Sequence, residues 1–239
     1  MNRLDKFLAE RSLAKSRSAA AELIANNSVA VNGVICKKPS RCVGENDIIE
    51  IVGERPRYVS RGGLKLRHAL EAFGIDLNGL ICLDVGASTG GFTDCMLQEG
   101  AKRVYAVDVG TGQLDSSLRA DERVVSLERL DIRKADRSVI PAEIDFAAVD
   151  VSFISLKLVL PELKRFLKNR GSAAVLIKPQ FELGKKRKNA VDKAQREKIA
   201  ADTAAFSKTL GFAVSGVIDS PVPGGSGNRE FLMRVDFFK

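Results

Sequence analysis

Four short apolar runs separated by helical patterns constrain this chain more than any other feature. Leu80–Val85, Arg103–Asp108, Asp145–Asp150 and Ala173–Lys178 read as strands buried on both faces. Helical periodicity fills the gaps, most plainly over Leu156–Lys168 and, beyond the fourth run, over Lys193–Leu210. Parallel neighbours need crossovers of this kind, so the expected architecture is α/β, a parallel sheet wrapped by helices. Two last strand-like runs, Phe212–Ile218 and Glu230–Phe238, are divided by Pro221-Val222-Pro223-Gly224-Gly225-Ser226-Gly227, which is too short for a crossover helix. They are expected to pair antiparallel.

A charged stretch with a proline, Gly53-Glu54-Arg55-Pro56-Arg57, marks a seam and predicts two domains, residues 1–57 and 58–239. In the first, Leu4, Phe7 and Leu8 recur at helical spacing, and Ala19, Ala20, Leu23 and Ile24 do so after a candidate N-cap at Ser16. Val29–Val31, Asn32-Gly33 and Val34–Cys36 predict a hairpin closed by a type I′ turn, and Asp47–Val52 a further strand.

Apolar residues at 45% and charged residues at 28% exclude a disordered or collagen-like chain. The net charge of +8 favours a polyanionic partner. Cys36, Cys42, Cys82 and Cys95 form no C-x-x-C pair, which argues against a zinc site or disulfide framework and for a reducing, cytoplasmic compartment. No metal is expected. Met1–Lys6 leads into an amphipathic pattern without an apolar signal core, and no apolar stretch is long enough to span a bilayer, so neither secretion nor membrane insertion is expected.

Asp84-Val85-Gly86-Ala87-Ser88-Thr89-Gly90-Gly91 follows the first run and opens a predicted helix, the place where ligands bind at strand carboxyl ends. Its spacing departs from the dinucleotide pattern G-x-G-x-x-G, which disfavours NAD. Two readings stand for the turn: glycines that let a small molecule approach the backbone, or a connection that merely closes tightly. Asp108, closing the second run, is placed to accept hydrogen bonds from both hydroxyls of a ribose. Asp150 and Lys178 each close a run and belong at the same sheet edge, where burying a charge is costly unless it pairs or serves chemistry. Strand-end charges facing water are the competing explanation.

Arg3–Leu8, Ser16–Ala20 and Val29–Gly33, followed by Lys38-Pro39-Ser40, resemble the S4 (α-L type) RNA-binding domain. The resemblance implies binding of structured RNA by shape and phosphate contact, because A-form helices hide their major-groove edges. It turns Arg3, Arg11, Lys15, Arg17, Lys37, Lys38 and Arg41, otherwise readable as a solvated surface, into RNA-contact candidates. Asp84–Gly91, Asp108 and Asp131 look like the cofactor motifs of class I methyltransferases, which have a Rossmann-like sheet and use S-adenosylmethionine. That likeness implies Asp84, Gly86 and Gly90 at the methionine end, Asp108 at the ribose and Asp131 at adenine. Ala87, Ser88, Gly91 and Asp150 complete the implied cofactor set. Lys65, Asp150, Lys178 and Glu230, in that order and with their flanks, resemble the tetrad of FtsJ-type RNA ribose 2′-O-methyltransferases. With the S4 blocks in front, the whole chain resembles the TlyA family, which methylates the 2′-hydroxyl of cytidine in ribosomal RNA and in which some members carry a haemolysin label.

What the resemblance implies is an RNA 2′-O-methyltransferase acting on ribosomal RNA or ribosomal subunits, with S-adenosylmethionine as cofactor. A ribose 2′-hydroxyl is a weak nucleophile, so a side chain must align it and take its proton. Lys178 is the candidate, with Asp150 orienting it and Glu230 anchoring Lys65 or the ribose. Lys185-Lys186-Arg187-Lys188, extended by Lys193, Arg196 and Lys198, is a further candidate for contact with the RNA backbone. Phe153 and Phe181 flank the expected site, where core packing is the default and base stacking the alternative. His68, the sole histidine, is expected to take no catalytic part. Two other functions stand against this one: a non-catalytic RNA-binding or ribosome-assembly factor, and a haemolysin-like membrane-active protein, which the hydropathy disfavours.

Overall fold

The computed structural model describes residues 2–14, 17–25, 27–52, 56–183, 191–224 and 227–239. The chain divides into two units, Met1–Arg61 and Gly62–Lys239.

In the first unit, β1 (Asn2–Arg3) runs into α1 (Leu4–Glu10), and α2 (Arg17–Ala25) leads to β2 (Val29–Val31), β3 (Val34–Ile35), β4 (Cys42–Val43) and β5 (Ile49–Ile51). Strand β2 lies between β3 and β5, antiparallel to both, while β1 pairs with β4. The Asn32-Gly33 turn forms as predicted: φ is 55° and 76°, the positive pair a type I′ hairpin requires. The Asn32 side chain then ties the turn to the approach to β5, donating to Asp47 Oδ1 (2.7 Å) and accepting from the Ile48 N–H (2.8 Å). Leu4 and Leu8 of α1 and Ala20 and Ile24 of α2, each one turn apart, close over Val29, Val31, Cys36 and Val43 as a small core. Ser16, the expected cap of α2, lies outside the described residues.

The second unit opens with α3 (Gly62–Phe73) and is built on β6 (Ile81–Val85), β7 (Arg103–Asp108), β8 (Val124–Glu128), β9 (Ile144–Val149), β10 (Leu167–Ile177), β11 (Phe212–Asp219) and β12 (Phe231–Phe237). Helices α4 (Gly91–Gln98), α5 (Ser116–Arg119), α6 (Leu160–Leu163), α7 (Pro179–Glu182) and α8 (Lys193–Thr209) are interspersed. The sheet order is β11-β12-β10-β9-β6-β7-β8. Every neighbouring pair is parallel except the two that involve β12, so the sheet is mixed rather than all parallel. The last two strands pair antiparallel as expected, and β12 inserts between its partner and β10. The chain moves outward from β6 through β7 to β8, then returns to lay β9 on the other side of β6. That reversal is a topological switch point, where open α/β sheets bind ligands.

One expected helix is corrected. Residues 156–168 do not form a continuous helix: Leu156–Leu158 is a 3₁₀ turn, α6 is four residues long, and β10 already begins at Leu167. Pro161 explains the break, since a residue without an N–H is accommodated only in the first turn, where it sits. The early start of β10 is accompanied by an irregularity between Leu167 and Ser172, with Arg170 at φ 63°. Helix α8 matches its prediction to within a residue, capped by Asp192, whose carboxylate accepts from the Gln195 N–H at 2.9 Å.

Candidate active site

The glycine turn after β6 is held against its neighbours: the Gly86 and Ala87 amides both donate to the Val107 carbonyl, at 2.9 and 3.1 Å. Gly86 has φ of 89°, and a Cβ there would lie 2.3 Å from the Asp150 carbonyl oxygen. The chain leaving β9 therefore requires a glycine here whether or not a ligand approaches it. Gly90 makes room in the same way for Leu118 and Leu114 and ends the turn at φ 98° ahead of α4, whose first residue, Gly91, is buried. What the turn offers to a ligand is Gly86 and Ser88, which line a cleft of about 500 Å³ at the carboxyl ends of β6, β7 and β9.

The cleft is acid-rich. Asp108, Asp131 and Asp150 line it, with Arg133 beside them and Val109, Leu130 and Ile132 supplying apolar wall. Asp108 accepts the Ser88 N–H on Oδ2 (2.8 Å) and the Gly110 N–H on Oδ1 (2.7 Å), so two backbone donors fix its carboxylate where β7 ends. Its register partner Glu128 at the end of β8 accepts the Gly112 N–H at 2.8 Å, which holds its carboxyl below the usual carboxylate range. Asp131 caps the 3₁₀ turn Ile132–Lys134 and pairs with Arg133, which lowers its proton affinity in turn. Asp84 does not line the cleft: it is fully buried, accepts the Thr93 hydroxyl on Oδ2 at 2.7 Å, and has no partner for Oδ1 among the described residues. Burial, only partly offset by the Thr93 bond, pushes this carboxyl up to about 7, with Asp150 and Asp108 adding repulsion.

The four members of the expected tetrad form two ion pairs. Asp150 continues the β9 ladder by donating its amide to the Val85 carbonyl at 2.9 Å, and its carboxylate pairs with Lys178. Lys178 precedes Pro179, which forces it extended at φ −110°, so β10 runs out through it before α7 starts. Its ammonium also donates to Ser152 Oγ at 2.9 Å and stands 5.9 Å from the Phe181 ring centroid. In the second pair, Lys65 from the first turns of α3 donates to Glu230 Oε2 at 2.6 Å, both side chains being buried. Glu230 precedes β12, and the antiparallel pairing of Ile177 with Phe231 brings it beside Lys178 along the sheet edge. A Cβ at Gly224 would lie 2.2 Å from Glu230 Oε1, so a larger residue there would displace the carboxylate. Phe153 is not core: it is 91% exposed, at φ 62°, with its ring 4.9 Å from that of Phe181.

Two of the basic candidates of the first unit, Arg3 and Arg17, converge on one carboxylate. Asp5, buried at the start of α1, is held far below its usual range by hydrogen bonds from Arg3 and then Arg17, despite its burial. Arg11 stacks over the Phe7 ring at 5.4 Å, Lys37 and Lys38 are exposed, and Arg41 is half-buried. Lys15 and the Lys185–Lys188 run lie outside the described residues. Ser152, Thr93 and Glu128 are residues of the site that sequence reasoning misses. No local pattern marks the first two, and Glu128 is placed beside Asp108 only by sheet register.

A seven-stranded sheet with one reversed strand, a cleft at its switch point and acids at the strand ends is the architecture of a class I methyltransferase. The chain belongs to the FtsJ-like methyltransferase family, whose model matches residues 58–237, and an S4 domain matches residues 2–49. It is 43% identical over 97% of its length to a Mycobacterium tuberculosis protein, the 16S/23S rRNA (cytidine-2′-O)-methyltransferase TlyA, covering 88% of it. It is 41% identical over 96% of its length to Hemolysin A of Brachyspira hyodysenteriae, covering 98% of that protein. Among solved structures, one from Streptococcus thermophilus matches all of this chain and 89% of its own at a TM-score of 0.79 and 41% identity. Among the described residues, no helix is long and apolar enough to cross a membrane.

Proposed function

We propose that this protein methylates the ribose 2′-oxygen of cytidine in ribosomal RNA with S-adenosylmethionine as donor, the S4 domain of residues 1–57 docking RNA for a catalytic domain of residues 58–239. The observation that carries this reading is the Lys178–Asp150 pair at the rim of an acid-lined cleft. The cleft fits the donor in kind: its volume lies in the range of small-molecule sites and its acids suit a cationic ligand. Asp108 would hold the ribose hydroxyls with its remaining lone pairs, Asp131 would face adenine, and Asp84 and the Gly86–Gly91 turn would underlie the methionine end. When bound, S-adenosylmethionine supplies an electrophilic methyl group.

The chain's own residues handle the acceptor. Asp150 and Ser152 fix Lys178 Nζ at the rim, where the side chain, once it has released a proton to solvent, aligns the ribose hydroxyl as a neutral amine and takes the proton that the oxygen sheds on methylation. The Lys65–Glu230 pair braces the neighbouring strand edge, and the exposed Phe153 offers a face on which an unstacked base can rest. Lys37, Lys38 and the Arg3–Arg17 pair on Asp5 give the S4 domain its phosphate contacts. Incubation with labelled S-adenosylmethionine and either ribosomal RNA or ribosomal subunits tests the reading. Label is expected in RNA, and its absence from both acceptors would contradict the assignment.

A further inference from the structure

We propose that Glu182, which has no part in the mechanism above, is a positioning residue that holds the loop after β9 in register with Lys178. The inference rests on the reading of the cleft rim as the acceptor site. Glu182 ends the short helix α7, one turn beyond Lys178. Its Oε2 accepts the Ser155 hydroxyl at 2.6 Å and its Oε1 accepts the Leu156 N–H at 2.8 Å. Ser155 itself caps the following 3₁₀ turn, accepting the Lys157 N–H at 3.2 Å. The loop 150–155 is thus tied at both ends to the single segment 178–182: Asp150 to Lys178 at one end, Ser155 to Glu182 at the other.

Between those ties lie the two residues that the rim presents. Ser152 accepts from Lys178, and Phe153 is held exposed at positive φ, a conformation that a bulky side chain adopts only where its surroundings impose it. Stacking against Phe181 is the only ring contact of Phe153 among the described residues, and Phe181 neighbours Glu182 in sequence. Of the hydrogen bonds and ion pairs that tie the two segments, those of the Glu182 carboxylate are the ones independent of Lys178. Removing it frees Ser155 and Leu156, lets Phe153 relax, and loosens the Ser152 acceptor that helps aim the ammonium.

The chain contains no tryptophan, so Phe153→Trp in the full-length protein places a unique fluorophore on the loop. In that background we expect Glu182→Ala to lower the tryptophan anisotropy, whereas Glu182→Gln keeps it, because the amide still accepts from Leu156 and donates to the Ser155 oxygen. Without the reporter, Glu182→Ala is expected to cut single-turnover methyl transfer by about tenfold or more with S-adenosylmethionine affinity unchanged, and Glu182→Gln to restore most of it. Unchanged anisotropy, turnover within about twofold of the parent, or a parallel loss of S-adenosylmethionine affinity would overturn the inference. Should Glu182→Ala fail to fold, Ser155→Ala carries the same test: lowered anisotropy with slower turnover supports the role, and parental behaviour overturns it. A parent protein that transfers no methyl to RNA would sink the acceptor reading, while the anisotropy comparison still decides whether Glu182 holds the loop.

Discussion

Two lysine–carboxylate pairs of identical chemistry sit along one sheet edge, and their surroundings divide them. The Lys65 and Glu230 side chains are only 8% and 2% exposed; those of Lys178 and Asp150 are 12% and 21% exposed, and Asp150 lines the cleft. The more buried pair joins α3 to the residue that precedes β12. The rim pair keeps donors and acceptors that an incoming hydroxyl can use. On the proposed reading, the pair beside the cleft handles the acceptor and the more buried pair braces it.

The largest effect expected is on the rim. Lys178→Ala should reduce methyl transfer by about 10²- to 10⁴-fold in single-turnover assays while calorimetry shows S-adenosylmethionine binding nearly unchanged. Retained turnover would take Lys178 out of the chemistry and erase the distinction. Next comes the more buried pair, where the expected effect is on folding: Lys65→Ala leaves the Glu230 carboxylate buried without its partner and should cost about 3–5 kcal/mol in urea unfolding. Lys65→Met combined with Glu230→Leu should recover most of that stability and, because the pair braces rather than reacts, most of the turnover. If turnover stays lost while stability returns, the pair takes part in the chemistry.

Asp84 provides a smaller, pH-dependent effect. Its folded-state value near 7 lies above the ordinary 3.8, so between these limits the folded chain keeps a proton that the unfolded chain has released. Stability should fall as pH rises across that window, by at most about 4 kcal/mol, and level off above it. Asp84→Asn should flatten the slope in urea titrations at pH 5 and pH 8; an unaltered slope would show that Asp84 is already ionised. The smallest effect belongs to the S4 domain. Charge reversal at Lys37 or Lys38 should lower the slope of log affinity for RNA against log salt by about one for each phosphate no longer neutralised, a change that filter binding resolves.

Much of the fold could be read directly because its local rules agree. Asn32-Gly33 named its turn, the doubly buried runs named β6, β7, β9 and β10, and a loop dominated by proline and glycine named the final antiparallel pair. The interval from Leu156 to Lys168 misled because its apolar residues repeat at helical spacing while Pro161 divides it, and periodicity does not register a missing N–H. In the site, Asp150 and Lys178 were readable as charges closing apolar runs. The Lys65–Glu230 pairing was carried only by resemblance, since residues 165 positions apart in the chain meet through sheet order, which the sequence does not spell out. Gly86 taught a different lesson: the sequence marks the glycine, but only the fold shows that a carbonyl from β9's exit crowds it.

The most direct test is chemical. Ribosomal RNA methylated by the parent protein and digested to nucleosides should yield 2′-O-methylcytidine by mass spectrometry, and the Lys178→Ala protein should yield about 10²- to 10⁴-fold less at matched early times. A base-methylated nucleoside, or equal yields from both proteins, would contradict the placement of a ribose oxygen at Lys178.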